Sequence, residues 1–509
     1  MMKKLALIFA ILVLSQTLFS CSDTSKETTR NETASSTAET IGTAGEENTE
    51  TIAEEETRPM HSVPGELDYG GETFTIVYPN WQGYNYYFFA NEYTGDVMND
   101  AIFSRKSKVE DTIKITMTET CPGYIEQIFP TVSASVKAKD DAYQLVLLHC
   151  IDGVASMVRG GLLYNLDDLN YTDLDAPWWN HRMMNELRLG KNTYYGVSDY
   201  MIPCPYTIYF NKDIVTECGL ENPYELVYNK EWTVDKFISM AEGATADIDG
   251  NGKITNDDRR GVSYDETSKW ISFMSGAGQK MLERSDDGEW KLGMNTEKMQ
   301  TLVEKFYSLA IKDGVIAPAN SLSVADGNLL FELNTLANAV NYRETDFNIG
   351  LLPYPLFDEN QESYISLDWG GLMGCPVTIR NPDMVGATLE LLAYESGNEV
   401  IPAYYEKLLE GKIARDEDTV AMLDIIFDTI TYEPVGNYFG FDGGVNPIFY
   451  TIGSLAVESK SADYSSYYKK NEKLASKVME RFFKDLEKSR VRRSKRTMHY
   501  QSDYIHLLW

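Results

Sequence analysis

The sequence has little of what enzymes and metal centres most often use. Histidine occurs 5 times and cysteine 6 times in 509 residues. It contains no H-E-x-x-H zinc pair, no G-x-S-x-G nucleophile elbow, no G-x-x-x-x-G-K phosphate loop and no G-x-G-x-x-G dinucleotide motif. We therefore expect no catalytic residues and interpret the chain as a non-enzyme. Paired carboxylates are the exception, since 77 Asp and Glu leave a secreted glycoside hydrolase open as an alternative.

Positive charge is also scarce. The formal net charge is -31, which repels the phosphates of nucleic acids, so we expect no nucleic-acid partner. The number and spacing of the cysteines argue against two further classes of protein. Apart from Cys21, the five thiols are odd in number, widely spaced and without a C-x-x-C pair, which argues against a disulfide framework or a zinc site. Buried free thiols are the expectation, and one bridge stays open.

The N-terminal residues predict export and lipidation. Two lysines precede the apolar run Leu5–Leu14, which is too short to span a bilayer as a mature helix. The run ends in Leu18-Phe-Ser-Cys21, which resembles a bacterial lipobox. We predict a signal peptide at 1–20, a lipid on Cys21 and a location on the extracellular face of the cell membrane. An ordinary secretory signal or an uncleaved anchor is the alternative.

Two terminal segments differ in composition from the body of the chain. Residues 21–62 are rich in Thr, Ser, Glu and Ala and poor in large apolar side chains, so we predict a disordered tether. Residues 488–509 begin with a run of six basic side chains and no acid. This basic tail is either a solvated end or a contact with anionic lipid or cell wall.

The stretch 247–258 reads DIDGNGKITNDD and matches a calcium-binding loop. Glycine stands at its sixth place, where the loop turns sharply, and oxygen ligands fall at the remaining required places. The predicted ligands are Asp247, Asp249, Asn251, Lys253 through its carbonyl, Thr255 and Asp258. A single loop cannot form a paired sensor, so we predict a structural Ca²⁺. A solvated turn without an ion is the alternative.

Strand and helix patterns alternate along the body. Residues 72–78 and 143–149 predict strands, with a helix over 96–113 between them, and the continuous apolar run at 143–149 is typical of a strand buried on both faces. Further strands are predicted at 191–197, 206–210, 348–355 and 371–379, and helices at 296–312, 384–394 and 418–430. The order of elements predicts an α/β fold.

Several motifs give this order a specific resemblance. The segments Tyr143-Gln-Leu-Val, Pro177-Trp-Trp-Asn180, Tyr209-Phe-Asn-Lys-Asp213 and Glu231-Trp-Thr233, with the later Leu352-Pro-Tyr-Pro355, resemble the extracellular solute-binding proteins of bacterial ABC sugar importers. The similar branch is family 1, which includes maltose-binding protein. The resemblance extends from Phe74 to Glu487 and leaves out the basic tail.

That resemblance implies a two-lobed periplasmic-binding-protein-like fold of type II, with a ligand cleft between the lobes. Lobe 1 would comprise 67–201 plus 370–400, and lobe 2 would comprise 202–369 plus 401–487 with the calcium loop. The chain would cross between lobes near 200–205 and near 367–371. A cleft at the ends of strands is also where ligands generally bind in α/β proteins.

Position selects the candidate ligand-binding residues, because 33 Tyr and 8 Trp are too many to discriminate by type. The candidates follow predicted strands or lie on the crossings, and they are Asn80, Trp81, His149, Tyr206, Trp270, Asp368, Trp369 and Tyr404. Core packing is the alternative for Trp81, Trp270 and Trp369, and a satisfied core position is the alternative for His149. Trp178 and Trp179 are interpreted as packing residues.

The resemblance implies a receptor that captures a carbohydrate, with an oligosaccharide expected, by closing its lobes. It would then deliver the ligand to the transmembrane subunits of an ABC permease. We expect a monomer, anchored to the membrane only through its lipid. A surface adhesion or sensing lipoprotein that uses the same fold is a further alternative.

Overall fold

The computed structural model describes residues 58–81, 87–284, 290–342, 345–409, 416–439 and 444–506, and only the backbone of 490–506. The predicted signal peptide, Cys21 and the tether up to residue 57 lie outside the described residues. No described helix combines the length and the hydrophobicity needed to cross a membrane.

The first sheet contains four strands in the order β11-β3-β1-β2. Strands β1 (Glu72–Val77), β2 (Ile115–Thr120) and β3 (Leu145–Leu148) are parallel, and β11 (Leu372–Gly374) runs antiparallel beside β3. All four residues of β3 are buried, as its apolar run predicts. Helix α1 (Val97–Ile113) connects β1 to β2, and its N-cap is Asp96.

The second sheet has the order β5-β8-β4-β9. Its strands are β4 (Tyr206–Asn211), β5 (Arg260–Tyr264), β8 (Leu329–Thr335) and β9 (Ile349–Leu352). Every residue of these strands is buried, because helices cover both faces of the sheet. Asn211 ends β4 and caps the next helix with its side chain, and Thr233 caps a later helix.

The remaining elements surround the two sheets. A β-hairpin pairs β6 (Leu282–Arg284) with β7 (Trp290–Leu292). The helices before it are α2 (Ile128–Ala138), α3 (Val154–Arg159), α4 (His181–Leu187), α5 (Lys212–Glu217), α6 (Pro223–Tyr228), α7 (Val234–Ala244) and α8 (Ile271–Gly276). Those after it are α9 (Glu297–Ala310), α10 (Pro382–Glu395), α11 (Ile401–Leu409), α12 (Glu417–Asp428), α13 (Pro434–Phe439), α14 (Asn446–Phe449) and α15 (Tyr464–His506).

Three chain segments meet between the sheets, and we name them the hinge segments: 203–205, 366–371 and 430–432. The backbone N–H of Trp369 donates to the carbonyl of Cys204 at 3.1 Å, and that of Asp368 donates to Thr431 at 2.8 Å. Strand β10 (Ser366–Leu367) pairs in parallel with β12 (Ile430–Thr431). The third segment has no signal in the sequence, since a two-residue strand is too short to produce a pattern.

The structure differs from the sequence predictions at two places. Residues 191–197 form only isolated bridges, such as Gly196 with Met373, instead of a strand. The spacing of apolar residues predicts that Leu474 belongs to the buried stripe of the final helix, but Leu474 is exposed. Helix α11, which the sequence assigns to lobe 2, forms an ion pair of 2.8 Å with α1 between Lys407 and Asp96. The lobe boundaries themselves stay a prediction.

Trp178 and Trp179 are packing residues, as predicted, and both donate to one buried carboxyl group. Each indole is 2% exposed. Their Nε1 atoms lie 3.1 and 3.0 Å from the carboxylate oxygens of Glu390 on α10, which also accepts the backbone N–H of Asp173 at 3.1 Å. Burial raises the pKa of Glu390 to about 7 against these hydrogen bonds. The five described cysteines are free thiols.

Candidate functional site

Four of the candidate residues form a continuous run of ring contacts, here called the aromatic chain: Trp81, His149, Trp369 and Tyr206. Trp81 follows β1 and His149 follows β3, and their ring centroids are 4.3 Å apart in a T-shaped contact. The His149 ring lies 5.8 Å from Trp369 on a hinge segment. Trp369 in turn lies 5.5 Å from Tyr206, the first residue of β4. The aromatic chain thus links strand ends of both sheets through a hinge segment.

The aromatic chain is uncharged at neutral pH. His149 is 5% exposed, and burial lowers its pKa to about 4, so its imidazole is neutral. At its other end, the Lys269 ammonium lies 5.4 Å from the centre of the Tyr206 ring. Asp265 pairs with that ammonium at 2.9 Å. This cation beside the aromatic chain is therefore paired with a carboxylate of its own.

Asp368 lies at the junction of the hinge segments. Its carboxylate accepts the backbone N–H of Cys204 at 2.7 Å, and it is 3% exposed. Burial raises the pKa of Asp368 to about 7, although hydrogen bonds from backbone groups oppose the shift. These contacts are intramolecular, so Asp368 connects hinge segments in this structure, and contact with a ligand stays a prediction.

Tyr404 lies beside a small cavity of about 30 Å³ that it lines together with Trp81, Cys204 and Gly370. Tyr87 also lines this cavity, and the centroid of its ring lies 6.1 Å from that of Tyr404. A volume of this size holds about one or two waters and no sugar ring.

A larger cavity, of about 180 Å³, lies farther along the loop that follows β3. Its polar lining comes from Asp152, Ser156 and Arg159, and its apolar lining includes Tyr438 and Phe439 from α13. Sequence analysis missed these residues. Asp152 could have been found as His149 was, because both closely follow the buried strand β3. Nothing in the sequence places α13 opposite that loop.

Besides Asp368, two candidate residues lie outside the aromatic chain and both cavities. Trp270 is fully buried and packs against Tyr264, Phe273 and Phe306, with ring centroids 5.4 to 5.6 Å away. This contact set supports the alternative of core packing for Trp270. Asn80 is exposed, and its backbone N–H donates to Gly123 at 2.8 Å.

The acidic loop 247–258 brings three of its predicted ligands together. Asp247, Asp249 and Asp258 each offer a carboxylate oxygen within 4.8 Å of the others. Gly252 has φ +81°, a conformation that an L side chain rarely adopts. Asp258 is fully buried, and its oxygens accept the N–H groups of Ile248 and Thr255, both at 2.8 Å. These hydrogen bonds hold its pKa below the usual range.

The donor set of this loop suits a hard cation. Among the described residues, no lysine or arginine forms an ion pair with Asp247, Asp249 or Asp258. The neighbouring Arg260 is otherwise engaged, since its guanidinium donates to backbone carbonyls, including those of Ile254 and Thr255. Converging carboxylates without a counter-charge are the arrangement that calcium favours.

Comparison with known proteins identifies the architecture. No family model and no curated protein matches the sequence. Solved structures do match. A cyclic α-maltosyl-1,6-maltose binding protein from Arthrobacter globiformis superposes with a TM-score of 0.58 at 14% identity, over 81% of this chain and 99% of that one. The chain has the fold of ABC sugar-binding proteins. The sugar-binding-protein fold confirms the predicted two-lobed α/β class.

Two other structures support the same fold. A Rhizobium etli sugar transporter protein in an open conformation gives a TM-score of 0.57 at 14% identity, over 79% of this chain and 99% of that one. The galacto-N-biose/lacto-N-biose I-binding protein of the ABC transporter from Bifidobacterium longum gives 0.53 at 13% identity, over 81% and 98%. Because the identities are low, the likeness establishes the sugar-binding-protein fold, and function has to be argued from the site.

Proposed function

We propose that this chain is the substrate-binding receptor of an ABC importer, and that it captures a carbohydrate between its lobes. The aromatic chain carries the proposal, since it joins Trp81 and His149, which follow strands of the first sheet, through Trp369 to the second sheet. The sugar-binding-protein fold supports it. The receptor would pass the unaltered ligand to the transmembrane subunits of a permease.

The ligand class follows from the chemistry of the cleft. Aromatic rings bind the C–H faces of sugars, and neighbouring carboxyl, amide and hydroxyl groups bind their edges. His149 is neutral and Lys269 is paired with Asp265, so the aromatic chain offers no free charge for an ionic ligand. A neutral saccharide therefore fits the aromatic chain best.

Capture would require the lobes to move. The small cavity of about 30 Å³ has no room for a sugar ring, so the cleft would have to open for the ligand to enter. The hinge segments are short, which suits them to absorb a rotation between the lobes. A ligand that contacts both lobes favours the closed form by its differential affinity.

A thermal-shift screen against a panel of neutral mono- and oligosaccharides tests this proposal. We expect at least one glycan to raise the thermal midpoint while chromatography detects no cleavage product after long incubation. Hydrolysis of that glycan would favour the glycoside hydrolase instead. A panel without any stabilising carbohydrate, while other polar solutes stabilise, would contradict the proposed ligand class.

The anchor and the assembly are part of the same proposal. A lipid on Cys21 would hold the receptor at the extracellular face of the cell membrane, and residues 21–62 would keep its body clear of the surface. The chain would act as a monomer. Mass spectrometry of the protein purified from membranes tests the anchor, because replacement of Cys21 by serine should remove the lipid mass and release the protein.

We also propose a structural Ca²⁺ in the loop 247–258. Asp247, Asp249 and Asp258 would hold the ion, together with Asn251, Thr255 and the carbonyl of Lys253. The ion would neutralise the carboxylates and stiffen this edge of the second lobe. Asp258 is shorter than the glutamate usual at its place and already accepts backbone hydrogen bonds, which favours modest affinity.

Saturating calcium is expected to raise the thermal midpoint by roughly 2–5 °C, and chelator should reverse the shift. The variant Asp247→Asn should lose the shift. Asp257→Asn is the matched control, because this exposed neighbour lies outside the carboxylate cluster and should keep the full response. Differential scanning calorimetry with and without calcium measures the shift of the thermal midpoint in wild type and in both variants. An equal shift in wild type and Asp247→Asn would place the ion elsewhere.

A further inference from the structure

One buried cation close to the cleft has no acidic partner. Arg105 on α1 is 1% exposed, and no described carboxylate pairs with it. Its guanidinium donates to the carbonyl of Phe88 at 2.7 Å and to the hydroxyl of Ser396 at 3.2 Å. Its Cζ atom lies 4.6 Å from the centre of the Tyr200 ring. The Nε atom is buried without a partner.

Burial of this charge is costly, so simple space filling does not account for it. A buried ionised group loses its hydration, and an apolar side chain of similar volume would pack at lower cost. Burial lowers the pKa of Arg105 to about 10, which still leaves the guanidinium protonated at neutral pH. The charge therefore persists in the folded protein and strengthens each hydrogen bond that it donates.

All three partners of Arg105 belong to segments that form the small cavity. Phe88 and its neighbour Tyr87 line the cavity directly. Tyr200 lies two residues before Ile202, which lines it from the hinge side, and its ring contacts that of Phe88 at 5.1 Å. Ser396 begins the π-helical turn that leads from α10 into α11, the helix of Tyr404.

We propose that Arg105 is a positioning residue that fixes the aromatic wall of the cleft, namely Tyr87, Phe88 and Tyr404. The planar guanidinium joins a carbonyl, a hydroxyl and a ring that belong to three separate segments. Arg105 does not line the cavity, so it acts only through these partners. The inference rests on the proposed function solely in treating this wall as a ligand surface.

Lys108 provides a matched control on the same helix. Its ammonium pairs with Glu395 at 3.3 Å and also with Glu399, so it too ties α1 to the end of α10 and the π-helical turn. It contacts neither Phe88 nor Tyr200. Removal of Lys108 therefore loosens the same pair of helices without touching the wall.

The test uses two buried thiols as reporters in the full chain without ligand. Cys204 lines the small cavity, whereas Cys375 is fully buried at the first sheet and does not line it. Iodoacetamide labelling of each thiol, quantified by peptide mass spectrometry, separates local loosening of the wall from general loss of structure. Local opening exposes Cys204 alone, and global opening exposes both.

Arg105→Met is expected to raise the labelling rate of Cys204 about tenfold or more relative to Cys375, because two charge-assisted hydrogen bonds are lost. Arg105→Lys should give an intermediate rate, since an ammonium can reach Phe88 or Ser396 without the planar fork. Lys108→Met should leave the ratio of the Cys204 and Cys375 labelling rates unchanged. Should Arg105→Met fail to fold, Ser396→Ala must move the ratio in the same direction by a smaller factor.

Three results would overturn the proposal. Labelling of both thiols could accelerate equally, or the ratio of the Cys204 and Cys375 labelling rates could stay unchanged in the Arg105 and Ser396 variants. An increase of that ratio in Lys108→Met equal to that in Arg105→Met would overturn it as well. Because the readout needs no ligand, it stands even if the carbohydrate screen fails. With a stabilising glycan from that screen, Arg105→Lys should also weaken affinity more than Lys108→Met does.

Discussion

Replacement of Glu390 by alanine is expected to lower the free energy of unfolding by about 3–5 kcal/mol. The side chain is fully buried, and its carboxylate accepts the indole N–H groups of Trp178 and Trp179 and the backbone N–H of Asp173. Alanine would leave two buried indole donors and one partly buried backbone N–H unsatisfied, with a cavity beside two tryptophans. Urea denaturation followed by tryptophan fluorescence measures the loss.

The pH dependence of stability provides a second readout for the same residue. The folded pKa of Glu390 is about 7, above its ordinary 4.5, so the folded state keeps a proton that the unfolded state has released. Its contribution is therefore complete below pH 4.5 and decreases as pH rises towards 7. Asp368 acts in the same direction, because burial raises its pKa to about 7 from 3.8.

Glu390→Gln is the informative companion variant. The amide keeps one acceptor oxygen and cannot titrate, so it should cost less than alanine and should flatten the fall in stability between pH 4.5 and 7. Glu395→Ala, on the same helix with only an ion pair to Lys108, should cost under about 1 kcal/mol. A loss below 1 kcal/mol for Glu390→Ala would show that the indoles find other acceptors.

Trp369→Ala is expected to weaken carbohydrate binding about tenfold or more, since one stacking face of the cleft would be lost. Trp369 is half-buried and lies between His149 and Tyr206, so it joins both sides of the aromatic chain and still exposes part of its indole. Titration calorimetry with a glycan selected by the thermal-shift screen measures the change.

Two further variants calibrate that measurement. Trp369→Phe keeps a ring and should lose less affinity than alanine. Tyr93→Ala removes an aromatic side chain that is 62% exposed and packs on Phe103, outside the cleft, so it should bind as wild type does. Equal affinity of wild type and Trp369→Ala would remove Trp369 from the ligand surface.

Most of the fold could be predicted from local patterns in the sequence. The buried run of β3 and the helix that begins after Asp96 lie where the sequence predicts them, because strand hydrophobicity and helical periodicity depend on near neighbours. The third hinge segment and the position of α11 were not predictable in this way. Both depend on contacts between residues far apart in the chain.

The site was predictable as far as strand ends and crossings define it. Trp81, His149, Tyr206 and Trp369 come together because each follows or begins a strand, or lies on a crossing, and these positions meet at one edge. Trp270 packs instead with Phe273 and Phe306, and its sequence neighbourhood does not reveal this aromatic cluster. Arg105 and Glu390 were missed because their partners are 17 to 291 residues away.

Closure of the lobes by a carbohydrate is the central claim, and a distance measurement between the lobes tests it most directly. Spin labels at Tyr124→Cys, after β2, and Tyr228→Cys, at the end of α6, would report on the two lobes in a background that lacks Cys121 and Cys218. Double electron–electron resonance with a stabilising glycan should give a distance distribution that shifts and narrows to one population. A distribution that does not change while the glycan is bound would contradict capture by closure.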